Sequence, residues 1–235
     1  MLQVVNFASL GRFGTDWLDS RFHFYFAGVP APMGTHFGPL RVWNDDLIQP
    51  HTGFDMHGHR DMEIITYVRR GAISHRDNLG HEGRIGAGEV QVMSAGRGIV
   101  HAEWNHEDEE TLLYQIWVEP NRQGLKPGWE QAPFPKGDRQ GRLVALASGQ
   151  ENVEGALRIH QDATLYGALL ARGDTIGHRL GPGRCAYLVL SEGELEIGEH
   201  RLRVGRRRTG GRGGLRPRGG VTHAKRVLRA HERDV

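Results

Sequence analysis

A chain of 235 residues, 38% apolar and 25% charged, is long enough to bury the core of one large β domain or two small ones. No apolar stretch approaches the roughly 18–20 residues that cross a bilayer. The first residues lack a secretory pattern, and the single cysteine, Cys185, excludes an intramolecular disulfide, so a soluble cytoplasmic protein is expected.

From Leu40 onward the text reads as short strands broken by turns. Leu40–Trp43 ends at Asn44-Asp45-Asp46, Met62–Val68 at Arg69-Arg70-Gly71, and Ala72–His75 runs on to Asp77-Asn78-Leu79-Gly80. Val90–Met93 leads into Ser94-Ala95-Gly96, and Leu112–Val118 ends at Pro120. These runs are β-branched or aromatic and mostly too short for helices, and their recurrence points to a sandwich or barrel. Residues 119–141, with four prolines, read as a linker, after which strand patterns resume at Leu143–Leu146 and Leu157–His160. The stretch Leu188–Leu195 repeats the strand, glycine turn and returning strand of Tyr67–Ile73. Two related β modules are expected.

The net charge of +2 averages two unlike regions. Residues 201–235 hold 12 basic against 2 acidic side chains, leaving 18 basic and 26 acidic in 1–200. The acidic body disfavours direct nucleic-acid binding. The Arg/Gly-rich end lacks the interleaved aromatics that would stack on bases, so a solvated tail or a coding-frame change is the simpler reading. Residues 205–220 are expected to be irregular and exposed, leaving the second barrel incomplete or open at that edge.

Seven of the fourteen histidines lie between His51 and His106. His57-Gly58-His59 has the i, i+2 spacing that puts both imidazoles on one face of a strand, and His101-Ala102-Glu103 repeats it with a carboxylate. If the two strands face one barrel interior, three imidazoles and one carboxylate form a chelating set for a divalent transition metal. His75, His81 and His106 sit in turn-like or polar text and are expected to be exposed. Trp17, Phe22, Phe24 and Phe26 are expected to pack a core, and Cys185 to be a buried small hydrophobe.

Gly53-x3-His57-x-His59-x3-Glu63-x7-Gly71 and Gly88-x7-Gly96-x4-His101-x3-Asn105 resemble the two cupin motifs, with Ser94 where proline is usual. More narrowly, Trp17–Ser20, Leu40–Asp46, His57–Glu63, Met93–His101 and Tyr114–Trp117 resemble the pirin family, above all its bacterial quercetin 2,3-dioxygenase-like members. The resemblance covers about residues 15–200.

It implies an all-β bicupin of two face-to-face antiparallel barrels. The expected domains are a metal-binding one over 1–130, a metal-free one over 131–204 and an irregular tail over 205–235. It implies metal ligation by His57, His59, His101 and Glu103, with Glu63 behind them. Iron(II) is the first choice; nickel, cobalt, manganese, copper and zinc also suit the donors.

The implied reaction is O2-dependent cleavage of a flavonol such as quercetin with release of carbon monoxide. Glu103 would be the catalytic base that takes the 3-hydroxyl proton. The alternatives are a regulatory protein acting through a protein partner and a different metal-dependent cupin enzyme.

Overall fold

The computed structural model describes residues 2–134 and 140–204, and the backbone of 227–228. Among them only Phe7–Ser9 forms a helical turn, of the 3-10 type, and every other element is a strand, as expected for the class. Contacts divide the chain into two units, Ser9–Asp138 with Val144–Gly167, and Met1–Ala8 with Arg139–Leu143 and Ala168–Val235.

The first unit holds two large sheets. One has seven strands in the order β1 (Gly11–Gly14), β2 (Leu18–Phe22), β3 (Leu40–Ile48), β10 (Thr111–Val118), β5 (Glu63–Arg70), β8 (Glu89–Ser94) and β11 (Gly128–Pro133). The other has four: β4 (Thr52–His59), β9 (Ile99–Asn105), β6 (Ala72–Asp77) and β7 (Glu82–Gly86). Apolar residues from both sheets meet in two clusters. Ile48, Val68 and Leu113 of the first sheet pack with Ile73 and Ile85 of the second, and Ile64 and Met93 pack with Ile99. Each such buried side chain contributes about 2 kcal/mol.

A polar row runs between these clusters. On β5 the alternation Ile64, Thr66, Val68 sends three side chains to one face, and the middle one is polar. In register with Thr66 lie Gln115 on one side and Gln91 on the other, with Asn44 opposite Gln115.

Two expectations change here. Asn44-Asp45-Asp46 is not a turn but the buried centre of β3, because each aspartate has a partner: Asp45 takes the Arg69 guanidinium and Asp46 the Ser20 hydroxyl. The proline-rich segment 119–141 contains β11, which pairs with β8 from Gly128↔Ser94 to Pro133↔Glu89. Its proline is the last residue of an edge strand, where the missing N–H is tolerated.

A small sheet, β13 (Leu157–Arg158), β12 (Val144–Ser148) and β14 (Thr164–Gly167), completes this unit. The His160 N–H donates to the buried Glu63 carboxylate at 3.1 Å, the Asn121 N–H to the His160 carbonyl at 2.6 Å, and Gln161 Nε2 to the Glu119 carbonyl at 2.8 Å. Glu63, expected behind the metal ligands, therefore spends its hydrogen bonds on Ser94 (2.8 Å) and His160.

The second unit holds β15 (Thr175–Ile176), β16 (Glu194–Ile197), β17 (His200–Arg203) and β18 (Val227–Leu228), in the order β15-β18-β16-β17. Of the repeat expected at Leu188–Leu195, only the returning arm is a strand. Cys185 is exposed, contrary to the expectation of burial, because the segment around it belongs to no strand. The expectation for residues 205–220 lies outside the described residues.

Candidate metal centre

Strand β9 supplies the floor of the site. Its side chains Ile99, His101, Glu103 and Asn105 share one face by the two-residue period. β4 lies antiparallel beside it, with His57 opposite His101, His59 opposite Ile99 and Phe54 opposite Glu103. Three residues of β4 thus span two of β9, a bulge between Phe54 and His57. Without the extra residue, Phe54 and the two histidines would face opposite sides.

Gly53 lets the strands close at the other end: a Cβ there would lie 2.3 Å from the Glu103 carbonyl oxygen and 2.6 Å from the Trp104 Cα.

Donor nitrogens of His57, His59 and His101 lie within 4.8 Å of one another. The ring centroids are 4.4 Å apart for His57–His101, 4.8 Å for His57–His59 and 5.0 Å for His59–His101. His57 Nδ1 lies 2.6 Å from the Asp55 carbonyl oxygen, which accepts its proton and leaves Nε2 for a ligand. His101 is 1% exposed, and its Nε2 is buried with no hydrogen-bond partner.

Burial, then the neighbouring His101 and His57, push the His59 imidazole down to about 4, against the opposing pull of Glu103. Burial, then His57 and His75, push His101 down to about 3, with Asp77 pulling the other way. Both rings are neutral at physiological pH, the form that binds metals. Three converging imidazoles, two of them neutral and one with an orphaned buried nitrogen, fit a divalent transition metal.

Glu103 belongs to a second group of donors, with His75 and His101, whose atoms also lie within 4.8 Å of one another. It is 2% exposed and cradled by the polar row of the facing sheet. Its Oε2 accepts from Gln115 Nε2 at 2.8 Å, and its Oε1 accepts from Thr66 Oγ1 at 3.2 Å and from Gln91 Nε2. Gln91 is oriented in turn, because its Oε1 accepts the Trp129 indole N–H at 2.7 Å.

His75 is 2% exposed, against the expectation of a surface residue. It faces Glu103 across β6 and β9, while Asp77 faces His101. Trp129 stacks on its ring at 5.1 Å and 11°. Gly83 makes room for that indole, since a Cβ there would lie 2.3 Å from Trp129 Cη2.

Burial alone would raise the Asp77 carboxyl, but hydrogen bonds from His81, His75 and the Leu79 N–H hold it below the usual carboxylate range. His81 is half-buried beside Asp77, and of the three histidines expected at the surface His106 alone is exposed, stacked on Trp104. Trp117 stands edge-on to His59 at 4.9 Å and Phe54 tilts against His57 at 6.3 Å, so the open side of the cluster has aromatic walls.

The residues of the site that the sequence did not single out are therefore Thr66, Gln91, Gln115, Asp77 and Trp129. The signal for the first three was the polar interruption of apolar strands at matching positions.

Residues 6–118 match the family model described as Pirin, and residues 145–210 the one described as Quercetinase C-terminal cupin domain. The chain is 53% identical over 202 residues to a pirin-like protein of Caulobacter vibrioides, covering 86% of this chain and 87% of the other. It is 39% identical over 188 residues to a quercetin 2,3-dioxygenase of Escherichia coli K12, covering 80% of each. Among solved structures, a bacterial pirin of Escherichia coli in complex with nickel(II) superimposes with a TM-score of 0.66 at 40% identity, covering 71% of each chain.

Proposed function

The chain belongs to the pirin family, and we propose that it is a metal-dependent dioxygenase that cleaves a flavonol such as quercetin with O2 and releases carbon monoxide. The observation that carries this reading is the convergence of His57, His59 and His101 with His101 Nε2 buried and unpartnered. In this reading those three histidines and Glu103 hold the ion, iron(II) by preference. The metal-binding domain is 1–130 and the metal-free domain 131–204.

A divalent ion held there supplies Lewis acidity, which lowers the pKa of the flavonol 3-hydroxyl. The protein's own work is positional. Glu103 receives the 3-hydroxyl proton on a carboxylate oxygen, and the donors Gln91, Gln115 and Thr66 fix where that oxygen sits. Trp117 and Phe54 offer flat apolar walls to a planar ring system beside His59 and His57.

The test is metal analysis of the purified protein coupled to oxygen uptake and carbon monoxide release with a panel of flavonols. Oxygen-dependent loss of flavonol absorbance is expected. Metal-replete protein that turns over no flavonol would overturn the proposal and favour a regulatory partner or another cupin chemistry.

A further inference from the structure

Four side chains form a line that starts at the surface and ends at the candidate centre. His81 Nδ1 lies 2.8 Å from Asp77 Oδ2, the same oxygen lies 3.2 Å from His75 Nε2, and His75 Nδ1 lies 3.4 Å from His101 Nδ1. The His75 and Asp77 side chains are 0% exposed. The other Asp77 oxygen accepts the N–H groups of Leu79 at 2.8 Å and His81 at 3.1 Å, so the carboxylate is held from both sides and cannot turn.

With one proton on each ring, donor and acceptor counting leaves one arrangement that satisfies every contact along this line. A carboxylate only accepts, so the His75 nitrogen facing Asp77, Nε2, must carry the proton. With its ring proton on Nε2, His75 offers a lone pair at Nδ1, and the His101 nitrogen facing it must carry a proton. That leaves the His101 lone pair on Nε2, the atom that is buried and without a partner. The opposite assignment sets a lone pair against the Asp77 carboxylate and puts a proton on His101 Nε2. Trp129, stacked on the His75 ring and admitted by Gly83, keeps that ring in the plane the line requires.

We infer that Asp77 and His75 are positioning residues that lock His101 in the tautomer with its lone pair on Nε2, so that His101 meets a metal ion already prepared to ligate it. The inference rests on the ligand reading of His101, but it concerns protons that are in place before any ion binds. His75 is then a member of the line, with both ring nitrogens engaged, and not a ligand.

The test begins with the metal-free full chain. Long-range nitrogen–proton NMR of the imidazoles, assigned with His75→Phe and His101→Ala, is expected to show His75 protonated on Nε2 and His101 on Nδ1. Protonation of His75 on Nδ1, alone or together with Nε2, would overturn the inference without any variant having to fold. Asp77→Asn presents an amide NH2 to His75 Nε2 and should reverse both tautomers. His75→Phe keeps an aromatic ring under Trp129 but removes the acceptor.

Each variant is expected to bind nickel(II) about 10–100-fold more weakly, the usual loss when an outer partner of a ligating histidine is removed. Nickel affinity within twofold of wild type in folded Asp77→Asn would overturn the inference. A wild-type chain that binds no nickel while showing the stated tautomers would instead sink the ligand reading, so the two failures are distinguishable.

Discussion

Gln91→Leu removes the joint between two structural partners while keeping the volume nearly constant. Gln91 is 1% exposed and bridges Glu103 and Trp129, donating to one and accepting from the other. Loss of a hydrogen bond to a buried carboxylate costs about 2 kcal/mol, and leaving a half-buried indole N–H without its acceptor costs about 1 kcal/mol more. Neither loss can be made good locally. Thr66 Oγ1 and Gln115 Nε2 are already committed to Glu103, and Trp129 is pinned between Gly83 and His75. The sum is about 3 kcal/mol, or roughly 6–12 °C in thermal midpoint for a domain of this size. Circular dichroism melts of metal-free wild type and variant measure it. A midpoint within about 2 °C of wild type would refute the reasoning and show that the polar row contributes little.

Glu103→Gln should behave differently. Gln115 can rotate its amide so that Oε1 meets the new NH2, and Thr66 can then donate to the remaining oxygen, so stability is expected to stay within about 1 kcal/mol of wild type. The variant should retain more metal than oxygenase activity, because an amide coordinates weakly but accepts no proton; full activity would remove Glu103 from the base role. His59→Ala is expected to lose most bound metal by elemental analysis, with the cooperative melt preserved, because the flanking cores are apolar.

For pH, burial pushes His23 down to about 4, with Asp45 pulling it back up. A lowered histidine stabilises the fold fully above the unfolded value near 6.5. That contribution, about 3 kcal/mol, is lost as pH falls from there to about 4. Urea unfolding between pH 7 and 4 should show this slope in wild type and a smaller one in His23→Phe.

The pairing of His57 with His59, and of His101 with Glu103, was legible because the two-residue period of a strand is a strong geometric constraint: each pair shares a face whatever the rest of the fold does. The bulge that brings Phe54 to the same side left no such trace, since an inserted residue looks like any other. Asn44, Asp45 and Asp46 were misread because polar runs usually end strands, and their partners Ser20 and Arg69 come from other strands. His75 was misread for a related reason. Its proximity to the turn at Asp77–Gly80 outweighed the alternation Ile73, His75, Asp77, which sets it inward with a fully buried isoleucine. The glutamines at 91 and 115 declare themselves only once β5, β8 and β10 are side by side.

The contact between Glu63 and His160 bears on where this protein can be cut. A fragment ending near residue 130, the boundary expected from the sequence, would keep the buried Glu63 carboxylate and discard the backbone N–H that answers it from 97 positions further along. It would also sever β11 midway, taking Gln131, Ala132 and Pro133 from the edge of β8. Glu63 would keep only the Ser94 hydroxyl, and the loss of a hydrogen bond to a buried carboxylate costs about 2 kcal/mol. That is a large part of what holds an ordinary domain together. Expression of the isolated half should therefore extend through Gly167, so that the segment bearing His160 travels with the strands it closes over.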